Sequence, residues 1–400
     1  MKKTPQGMRR NIALIGRTNS GKSTLFNLLT GKNNAIVSDK PGTTTDPVVK
    51  NMELIPFGPI TLIDTAGLFD GSELGEQRVK KTQEIYRRAD LGIILNDITE
   101  TQKDSIPSNL HNMFNSEIIN VFTKCDLVSE EKLNELKKSY PDSIFISETN
   151  PEDIENLKKI LIRKLTELDD KEKSKDLSIG TLLPQGSTVL MIVPIDSAAP
   201  KGRLILPQVQ LIRECLDHGI KVHITRPSEL ESALEDLART HIDLAVTDSQ
   251  VFAYANEIIP SEIPLTSFSM ILAYQKGNFE QFIKGTEHIR KLKDNDKILI
   301  LEACTHNHTH EDIGRVKIPQ MLNKHIGKTL QYEFYTGYNI PEDLKKYSMA
   351  ILCGSCMINK KEVLSRLELL EENGVPVVNY GVVIAFMNGI LERCTQILRT

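Results

Sequence analysis

The chain has 400 residues, of which 40% are hydrophobic and 26% are charged, and its net charge is −4 at pH 7. This composition is typical of globular proteins and excludes a disordered or collagen-like chain. No apolar run approaches the ~20 residues that cross a membrane, and none fits a signal peptide, so we expect a cytoplasmic protein without membrane contact. The acidic balance argues against nucleic acid as a partner. Six cysteines are too few for a disulfide framework, so clustered cysteines would indicate metal or redox chemistry.

Short apolar runs alternate with amphipathic segments along most of the chain, which is the pattern of parallel sheets covered by helices. The predicted strands are Asn11–Gly16, Ile60–Asp64, Leu91–Asn96, Ile118–Thr123, Ser143–Ile146, Val189–Ile195, Lys221–Thr225, Ile242–Thr247, Ile298–Leu301, Gln331–Tyr335, Tyr347–Leu352 and Val375–Asn379. The predicted helices are Lys22–Thr30, Leu206–Leu216, Pro227–Ala238 and Lys361–Glu372. Between about residues 248 and 297 the pattern is less regular and contains prolines.

The chain is predicted to be an α/β protein of three domains, each with a mainly parallel sheet flanked by helices. A charged stretch followed by Gly180, Pro184 and Gly186 predicts a linker over residues 171–186. The predicted domains therefore cover residues 1–170, 187–275 and 276–400.

A phosphate-binding loop is predicted at residues 16–23, whose sequence Gly-Arg-Thr-Asn-Ser-Gly-Lys-Ser fits G-x-x-x-x-G-K-[ST] between a strand and a helix. Its glycines let backbone N–H groups face a phosphate, and the helix N-terminus attracts anions. Lys22 is expected to reach the β- and γ-phosphates, and the hydroxyl of Ser23 is expected to bind Mg²⁺. The predicted nucleotide-binding residues of this segment are Gly16, Asn19, Ser20, Gly21, Lys22, Ser23 and Thr24. We therefore expect a P-loop fold in the first domain.

Two later motifs favour GTP over ATP. Asp64 and Gly67 belong to an Asp-Thr-Ala-Gly segment that ends a strand, where the carboxylate can hold Mg²⁺ through water and the glycine N–H can meet the γ-phosphate. Residues 123–126, Thr-Lys-Cys-Asp, end another strand, and the carboxylate of Asp126 can accept two N–H bonds that guanine offers and adenine does not.

The base-binding segment departs from the usual Asn-Lys-x-Asp pattern. Thr123 stands in place of the asparagine and is expected to weaken one buttressing contact, whereas Lys124 and Asp126 are retained. Ser147 falls where a last base-contacting loop is expected.

Residues 41–46, Pro-Gly-Thr-Thr-Thr-Asp, lie where a hydroxyl can complete the Mg²⁺ shell, and we favour Thr44 for that ligand. This segment and Asn19 resemble the Era/TrmE-like GTPases. That resemblance implies a K⁺ ion held beside the phosphates, although an asparagine there can also simply favour a turn. Leu68 replaces the water-positioning glutamine of small GTPases, which predicts slow hydrolysis unless K⁺ or a partner assists. The predicted catalytic residues are Lys22, Asn19, Thr44 and Gly67.

Cysteines and histidines cluster after two predicted strands of the third region. Cys304 is followed by His306, His308 and His310, and a Cys-Gly-Ser-Cys segment spans residues 353–356. The carboxyl ends of parallel strands meet at one edge of a sheet, where ligand crevices form. Three thiolates there could hold zinc together with a histidine, or a [4Fe–4S] cluster with one exchangeable position. Spacing alone leaves both metals and a redox dithiol open. Cys215 and Cys394 are interpreted as buried core residues.

Together, the GTPase motifs and the Cys-x-His and Cys-x-x-Cys segments resemble the HydF family of [FeFe]-hydrogenase maturation GTPases. The resemblance covers all three regions and implies a GTPase domain (1–170), a dimerisation domain (187–275) and an iron–sulfur domain (276–400). It implies that GTP, Mg²⁺, K⁺, a [4Fe–4S] cluster and a transient diiron subcluster bind to a homodimer or larger assembly. It implies cluster ligation by Cys304, Cys353 and Cys356. The implied partners are the radical-SAM maturases HydE and HydG and the apo-hydrogenase HydA.

One departure concerns the fourth cluster ligand. The family often has histidine directly before Cys-x-x-Cys, and this chain has Leu352 there. His306 is then a possible fourth ligand, and Glu302, His308 or solvent are the alternatives. The other function that the sequence leaves open is a ribosome- or RNA-associated GTPase with a structural zinc site.

Overall fold

The structure is a computed structural model that describes residues 4–31, 47–65, 84–100, 116–173, 177–195, 204–303 and 313–399. The chain divides into two compact units, Met1–Lys175 and Asp176–Thr400. The structure contains three separate sheets, and helices alternate with their strands along the sequence. This confirms the predicted α/β class. No helix in the described ranges is long and apolar enough to cross a membrane.

The first unit is built on a six-stranded sheet with the order β2-β3-β1-β4-β5-β6. Its pairings are parallel except that β2 runs antiparallel to β3. The strands are β1 (Arg10–Gly16), β2 (Val48–Leu54), β3 (Gly58–Asp64), β4 (Leu91–Asp97), β5 (Glu117–Thr123) and β6 (Ile144–Phe145), and the helices are α1 (Lys22–Thr30), α2 (Glu130–Ser139) and α3 (Pro151–Lys173).

Strand β1 is buried on both faces. Ile12 and Leu14 belong to the hydrophobic core on one face, and Ala13 and Ile15 belong to the core on the other. Side chains alternate between the faces of a strand, so the continuous apolar run that predicted β1 is what a central strand covered on both sides requires. This strand ends at Gly16 and therefore delivers the phosphate-binding loop to the carboxyl edge of the sheet.

The second unit contains two parallel four-stranded sheets, with the orders β10-β9-β7-β8 and β12-β11-β13-β14. Their strands are β7 (Thr188–Ile192), β8 (Lys221–Thr225), β9 (Leu244–Thr247), β10 (Leu265–Ser267), β11 (Lys297–Glu302), β12 (Gln331–Thr336), β13 (Met349–Leu352) and β14 (Val377–Asn379). Its helices are α4 (Ile179–Leu182), α5 (Leu206–Asp217), α6 (Leu230–Asp236), α7 (Phe252–Ile258), α8 (Phe268–Lys276), α9 (Phe279–Ile289), α10 (Ile318–Ile326), α11 (Lys360–Glu372), α12 (Tyr380–Met387) and α13 (Leu391–Thr395).

The two sheets of the second unit share one hydrophobic core. Leu190 on β7 and Ile300 on β11 are both fully buried in it. Helix α8 contacts α5, which is next to β8 in sequence, and also α11 and α12, which follow β13 and β14. The three-sheet organisation therefore corresponds to two compact units, the second of which holds two sheets.

Several parts of the sequence interpretation differ from the structure. Strand β2 and helices α2 and α3 were not predicted. The stretch 248–297 was predicted to be less regular, but it contains α7, β10, α8 and α9. The predicted linker 171–186 begins inside α3, because Arg10 forms ion pairs with Asp169 at 2.7 Å and Glu172 at 2.8 Å and so attaches the end of that helix to β1. Ile179, also in that linker, is 0% exposed in the core of the second unit.

Candidate nucleotide and metal sites

The loop between β1 and α1 adopts the geometry that its glycines were expected to allow. A Cβ atom on Gly16 would lie 2.7 Å from the carbonyl oxygen of Leu95 on β4, so only glycine fits there. Gly21 caps α1 with φ at 85°, a left-handed conformation that glycine adopts without strain. Asn19 has φ at 65°, a region in which asparagine is enriched.

Lys22 is buried inside this loop. Its Nζ donates hydrogen bonds to the carbonyl oxygens of Gly16 at 2.9 Å and Arg17 at 2.6 Å. The ammonium thus lies within the curve of the loop, beside the N-terminus of α1. This is the position from which a lysine can reach phosphate oxygens.

The predicted Mg²⁺ ligands Ser23 and Asp64 lie together. The Ser23 hydroxyl donates to Oδ2 of Asp64 over 3.0 Å, and Oδ1 of Asp64 is buried without a hydrogen-bond partner among the described residues. Burial raises the pKa of the Asp64 carboxyl, which the Ser23 hydrogen bond and the Lys22 charge partly oppose. An unpartnered carboxylate oxygen beside a hydroxyl fits the oxygen ligands that Mg²⁺ prefers. The predicted residues Thr44 and Gly67 lie outside the described residues.

Thr123 supports the phosphate-binding loop from β5. Its hydroxyl donates a shared hydrogen bond to two carbonyl oxygens, that of Ser20 at 3.0 Å and that of Asn96 at 3.3 Å. The substitution of asparagine by threonine therefore leaves a direct hydrogen bond to the loop. The next residue, Lys124, pairs with Asp97 at the end of β4. Burial opposes the charge of that carboxylate, but the hydrogen bonds from Lys124 and Thr99 outweigh burial and lower the pKa of Asp97.

Asp126 and Ser147 meet at the same edge of the sheet. The Ser147 hydroxyl donates to Oδ1 of Asp126 over 2.9 Å, and the backbone N–H of Ser147 donates to Oδ2 of Asp153 over 2.8 Å. Asp126 is exposed and therefore open to a base. The structure thus brings together the two predicted base-contacting residues.

Glu148, the next residue, was not predicted as part of the site. Its Oε1 would lie 3.0 Å from a Cβ atom placed on Gly21, so it borders the phosphate-binding loop. Burial raises the pKa of its carboxyl; Lys124 opposes this, and Asp126 and Asp97 add to it.

The Cys-x-x-Cys segment forms a loop directly after β13. The Sγ atom of Cys353 accepts hydrogen bonds from the backbone N–H of Ala303 at 3.1 Å and of Ser355 at 3.4 Å. Ala303 directly precedes the first predicted cysteine, Cys304, in the sequence. N–H donors to sulfur stabilise the thiolate form, which is the form that binds metals.

Cys356 lies close to the same sulfur. Burial raises the pKa of the Cys356 thiol to about 11, and the charge of Cys353 adds to the rise. Burial also raises the pKa of Cys353, which the N–H groups of Ala303 and Ser355 oppose. Thiols with raised pKa values stay protonated until a cation such as iron or zinc takes the place of the protons.

Lys276, at the end of α8, faces this loop. Its Nζ donates to the carbonyl oxygens of Ser355 at 3.1 Å and Ile358 at 2.9 Å. Burial lowers the pKa of Lys276 to about 8, and the two thiols, Cys356 and Cys353, oppose that fall. Sequence analysis did not predict this residue, because it is 77 positions or more from either cysteine and no local motif marks it.

Two neighbours of the cysteine loop are engaged in other contacts. Glu302 accepts hydrogen bonds from Arg315 at 3.2 Å on one carboxylate oxygen and from Tyr380 at 3.3 Å on the other. Leu352 is 1% exposed in the core, and successive strand residues point to opposite faces. Position 352 therefore points away from the side on which Cys353 lies, and Glu302 already has a donor on each oxygen.

The third predicted thiolate, Cys304, and the possible fourth ligand, His306, lie outside the described residues. Within the ranges described, no group of three or more histidine, cysteine, aspartate or glutamate residues could hold a metal ion. The predicted core residues Cys215 and Cys394 are fully buried, on α5 and α13.

Comparison with family models divides the chain into three matched segments. Residues 178–277 match the hydrogen maturase F dimerization domain, and residues 280–397 match the hydrogen maturase F tetramerization domain. Residues 11–124 match a GTPase family described as 50S ribosome-binding. The two hydrogen maturase F segments together cover more than half of the chain.

Curated relatives match the N-terminal region. GTPase Der of Kosmotoga olearia is 32% identical over 147 residues, which cover 35% of this chain and 33% of that protein. The tRNA modification GTPase MnmE of Ehrlichia canis is 36% identical over 131 residues, covering 30% of this chain and 27% of that protein. The matched region thus spans about a third of the length of these relatives. Among solved structures, the G domain of the T. maritima FeoB iron transporter is 27% identical, with a TM-score of 0.31, over 39% of this chain and 98% of that one.

Proposed function

This chain belongs to the hydrogen maturase F family, HydF, and we propose that it hydrolyses GTP to GDP and phosphate while acting as a scaffold or carrier for an iron cluster. In this proposal it binds a [4Fe–4S] cluster and assembles or delivers the diiron subcluster of [FeFe]-hydrogenase to the apo-enzyme. The observation that carries the proposal is the loop at Cys353, where a half-buried thiol receives two backbone N–H bonds beside a second thiol.

The nucleotide would bind at the carboxyl edge of the first sheet. Lys22 would hold the phosphates, and Ser23 and Asp64 would bind Mg²⁺ directly and through water. Asp126, oriented by Ser147, would accept the N–H groups of guanine. Asn19 would help to hold K⁺, and Thr44 and Gly67 would contact Mg²⁺ and the γ-phosphate. The remaining loop residues proposed for the nucleotide site are Gly16, Ser20, Gly21, Thr24, Thr123 and Lys124.

Cys304, Cys353 and Cys356 would supply three thiolates to the cluster. The hydrogen bond of 3.1 Å from the N–H of Ala303, the residue before Cys304, to Sγ of Cys353 supports this assignment. A cluster held by three thiolates keeps one iron open to an external ligand. Because Glu302 is paired with Arg315 and Tyr380, His306 or solvent is the better candidate for that position.

Self-association would follow from the two matched segments, residues 178–277 and 280–397, whose families are named for dimerization and tetramerization. We propose a homodimer or larger assembly that receives the diiron unit from HydE and HydG and passes it to HydA. The domain bounds that we propose remain 1–170 for GTP hydrolysis, 187–275 for dimerisation and 276–400 for the cluster.

The alternative function is a ribosome- or RNA-associated GTPase with a structural zinc site. The family description of residues 11–124 and the tRNA-modifying relative favour it. The two functions differ in the metal that the cysteines hold.

Anaerobic purification followed by iron, sulfide and zinc analysis, with EPR of the reduced protein, distinguishes them. We expect a brown protein with iron and sulfide, and we expect Cys353→Ser and Cys356→Ser to lose both while GTP hydrolysis is retained, since the P-loop lies in the other compact unit. Cys215→Ala is the matched control, because that thiol is buried on α5, and it should keep its iron. A colourless protein with zinc would support the alternative, and a full iron content in Cys353→Ser would refute the ligand assignment.

A further inference from the structure

One face of helix α8 lies against the cysteine loop. Ser269, Leu272 and Lys276 are spaced at positions i, i+3 and i+7, which places them on the same side of a helix. A Cβ atom on Gly354 would lie 3.6 Å from both Cδ1 of Leu272 and Cα of Ser269. Helix α8 lies within the segment matched by the dimerization family, whereas the loop lies within the tetramerization family's segment.

The first turn of α8 contacts the loop through Asn379. The Ser269 hydroxyl donates to Oδ1 of Asn379 over 3.0 Å, and Nδ2 of Asn379 donates to the carbonyl oxygen of Cys353 over 3.2 Å. The last turn contacts it directly, because Lys276 donates to the carbonyl oxygens of Ser355 and Ile358. These two acceptors flank Cys356 in sequence, so the lysine fixes the backbone on both sides of one thiol.

The charge of Lys276 has no carboxylate to balance it among the residues that the structure describes. Arg366, the other cation close to Cys353, differs in this respect because its Nε donates to Glu362 over 2.9 Å in a buried pair. The anionic groups close to Lys276 in a metal-bound site would therefore be the thiolates of Cys353 and Cys356. In a partly buried site such an attraction is weakly screened.

We propose that Lys276 is a positioning residue for the iron–sulfur cluster, which holds the Cys-x-x-Cys loop in place and provides the positive charge that favours the reduced, more negative state of the cluster. This inference rests on the proposed function, in that it needs a cluster at these cysteines. Reduction adds one electron to the cluster, so a fixed cation beside it favours reduction and raises the midpoint potential.

The test compares Lys276→Met, Lys276→Gln and Lys276→Arg in the anaerobically purified full chain by EPR-monitored redox titration and iron analysis. We expect the midpoint potential of Lys276→Met and Lys276→Gln to shift to more negative values and that of Lys276→Arg to return toward the wild-type value. The matched control is Lys284→Met on α9, which removes an exposed lysine from the same unit and should leave the potential unchanged.

The outcomes separate a role of the Lys276 charge from a role of its hydrogen bonds and from a failure of the proposed function. Wild-type potential in Lys276→Met would overturn the inference. If Lys276→Met loses its iron, recovery of iron and potential in Lys276→Arg but not in Lys276→Gln would support the role of charge. Equal recovery in Lys276→Gln, which keeps an N–H donor without a charge, would reduce the role to a hydrogen bond and overturn the electrostatic part. If wild-type protein holds no iron, the proposed function fails instead.

Discussion

The hydroxyl of Ser147 donates a hydrogen bond to Oδ1 of Asp126 over 2.9 Å, across 21 positions of the sequence. This contact orients an exposed carboxylate that would otherwise rotate freely. Asp153 in turn accepts a hydrogen bond from the backbone N–H of Ser147, so the serine is itself held at the start of α3. The carboxylate that we propose for base binding is therefore held through Ser147, which Asp153 holds in turn.

Asp126→Asn should weaken GTP binding by about 10²-fold, because the amide keeps one acceptor oxygen but replaces the other with an NH2 donor, which leaves one of the two guanine N–H groups facing a donor. Titration with a fluorescent GTP analogue measures this loss. Xanthosine triphosphate is the control: it carries a carbonyl where guanine carries its amino group, so it should bind the variant better than GTP does. Equal affinity of the parent chain for GTP and ATP would contradict the assignment.

Thr123→Val should weaken nucleotide binding while preserving the shape of the side chain. The change leaves the buried carbonyl oxygen of Ser20 without its donor, and an unsatisfied buried group costs about 1–3 kcal/mol. Calorimetric measurement of GDP affinity and of the melting temperature checks this. Thr123→Asn, which restores the usual residue of the motif, should bind GDP at least as well as the parent chain does. An unchanged GDP affinity in Thr123→Val would show that the hydroxyl does not support the loop.

GTP turnover should be faster in K⁺ than in Na⁺ if Asn19 helps to hold the ion. Asn19→Ala should remove that difference, although its φ of 65° also makes the substitution strained. Asn19→Gly separates the two effects, because glycine accepts the backbone conformation but lacks the side-chain oxygen. Turnover by the parent chain that does not depend on the cation would leave Asn19 as a turn residue.

Ile224→Asp should weaken the proposed dimer. Strand β8 is an edge of its sheet, and Ile224 on it is 50% exposed, while Leu216 on the neighbouring α5 is 65% exposed. An exposed apolar edge strand favours association with another chain. Light scattering at micromolar concentration measures the assembly. Val48→Asp is the matched control, since Val48 is 57% exposed on edge strand β2 of the first unit. Equal dissociation of both variants would mean a general loss of folding and would contradict a role for β8 in the interface.

Most strands and the local motifs were predicted because their signals are local, whereas β2 and β10 were not predicted. The predicted limits of α1 and β8 agree with the structure, and the P-loop lysine lies inside its loop as its motif requires. Helix α8 was missed because it is mainly buried, so its sequence Phe-Ser-Met-Ile-Leu-Ala-Tyr-Gln-Lys shows little of the polar and apolar alternation that identifies an amphipathic helix.

Contacts between distant segments could not be predicted from the sequence. Lys276 reaches a loop 79 positions away, and the spacing that relates it to Ser269 becomes meaningful only when α8 is known to be a helix. Similarly, Thr123 was expected to weaken one buttressing contact of the base-binding segment, and the sequence did not predict that its hydroxyl donates to the carbonyl oxygen of Ser20. Such contacts depend on which strands are neighbours in the sheet.

The single hydrophobic core of the second unit has a thermodynamic consequence. Cooperative unfolding follows shared packing, and elements that share buried contacts melt together. Residues 176–400 should therefore give one calorimetric transition, although two family models divide them between residues 277 and 280. Cutting the chain at that division would expose the apolar face of α8 in one piece and that of α12 in the other, so we expect the two matched segments to fold as a single unit.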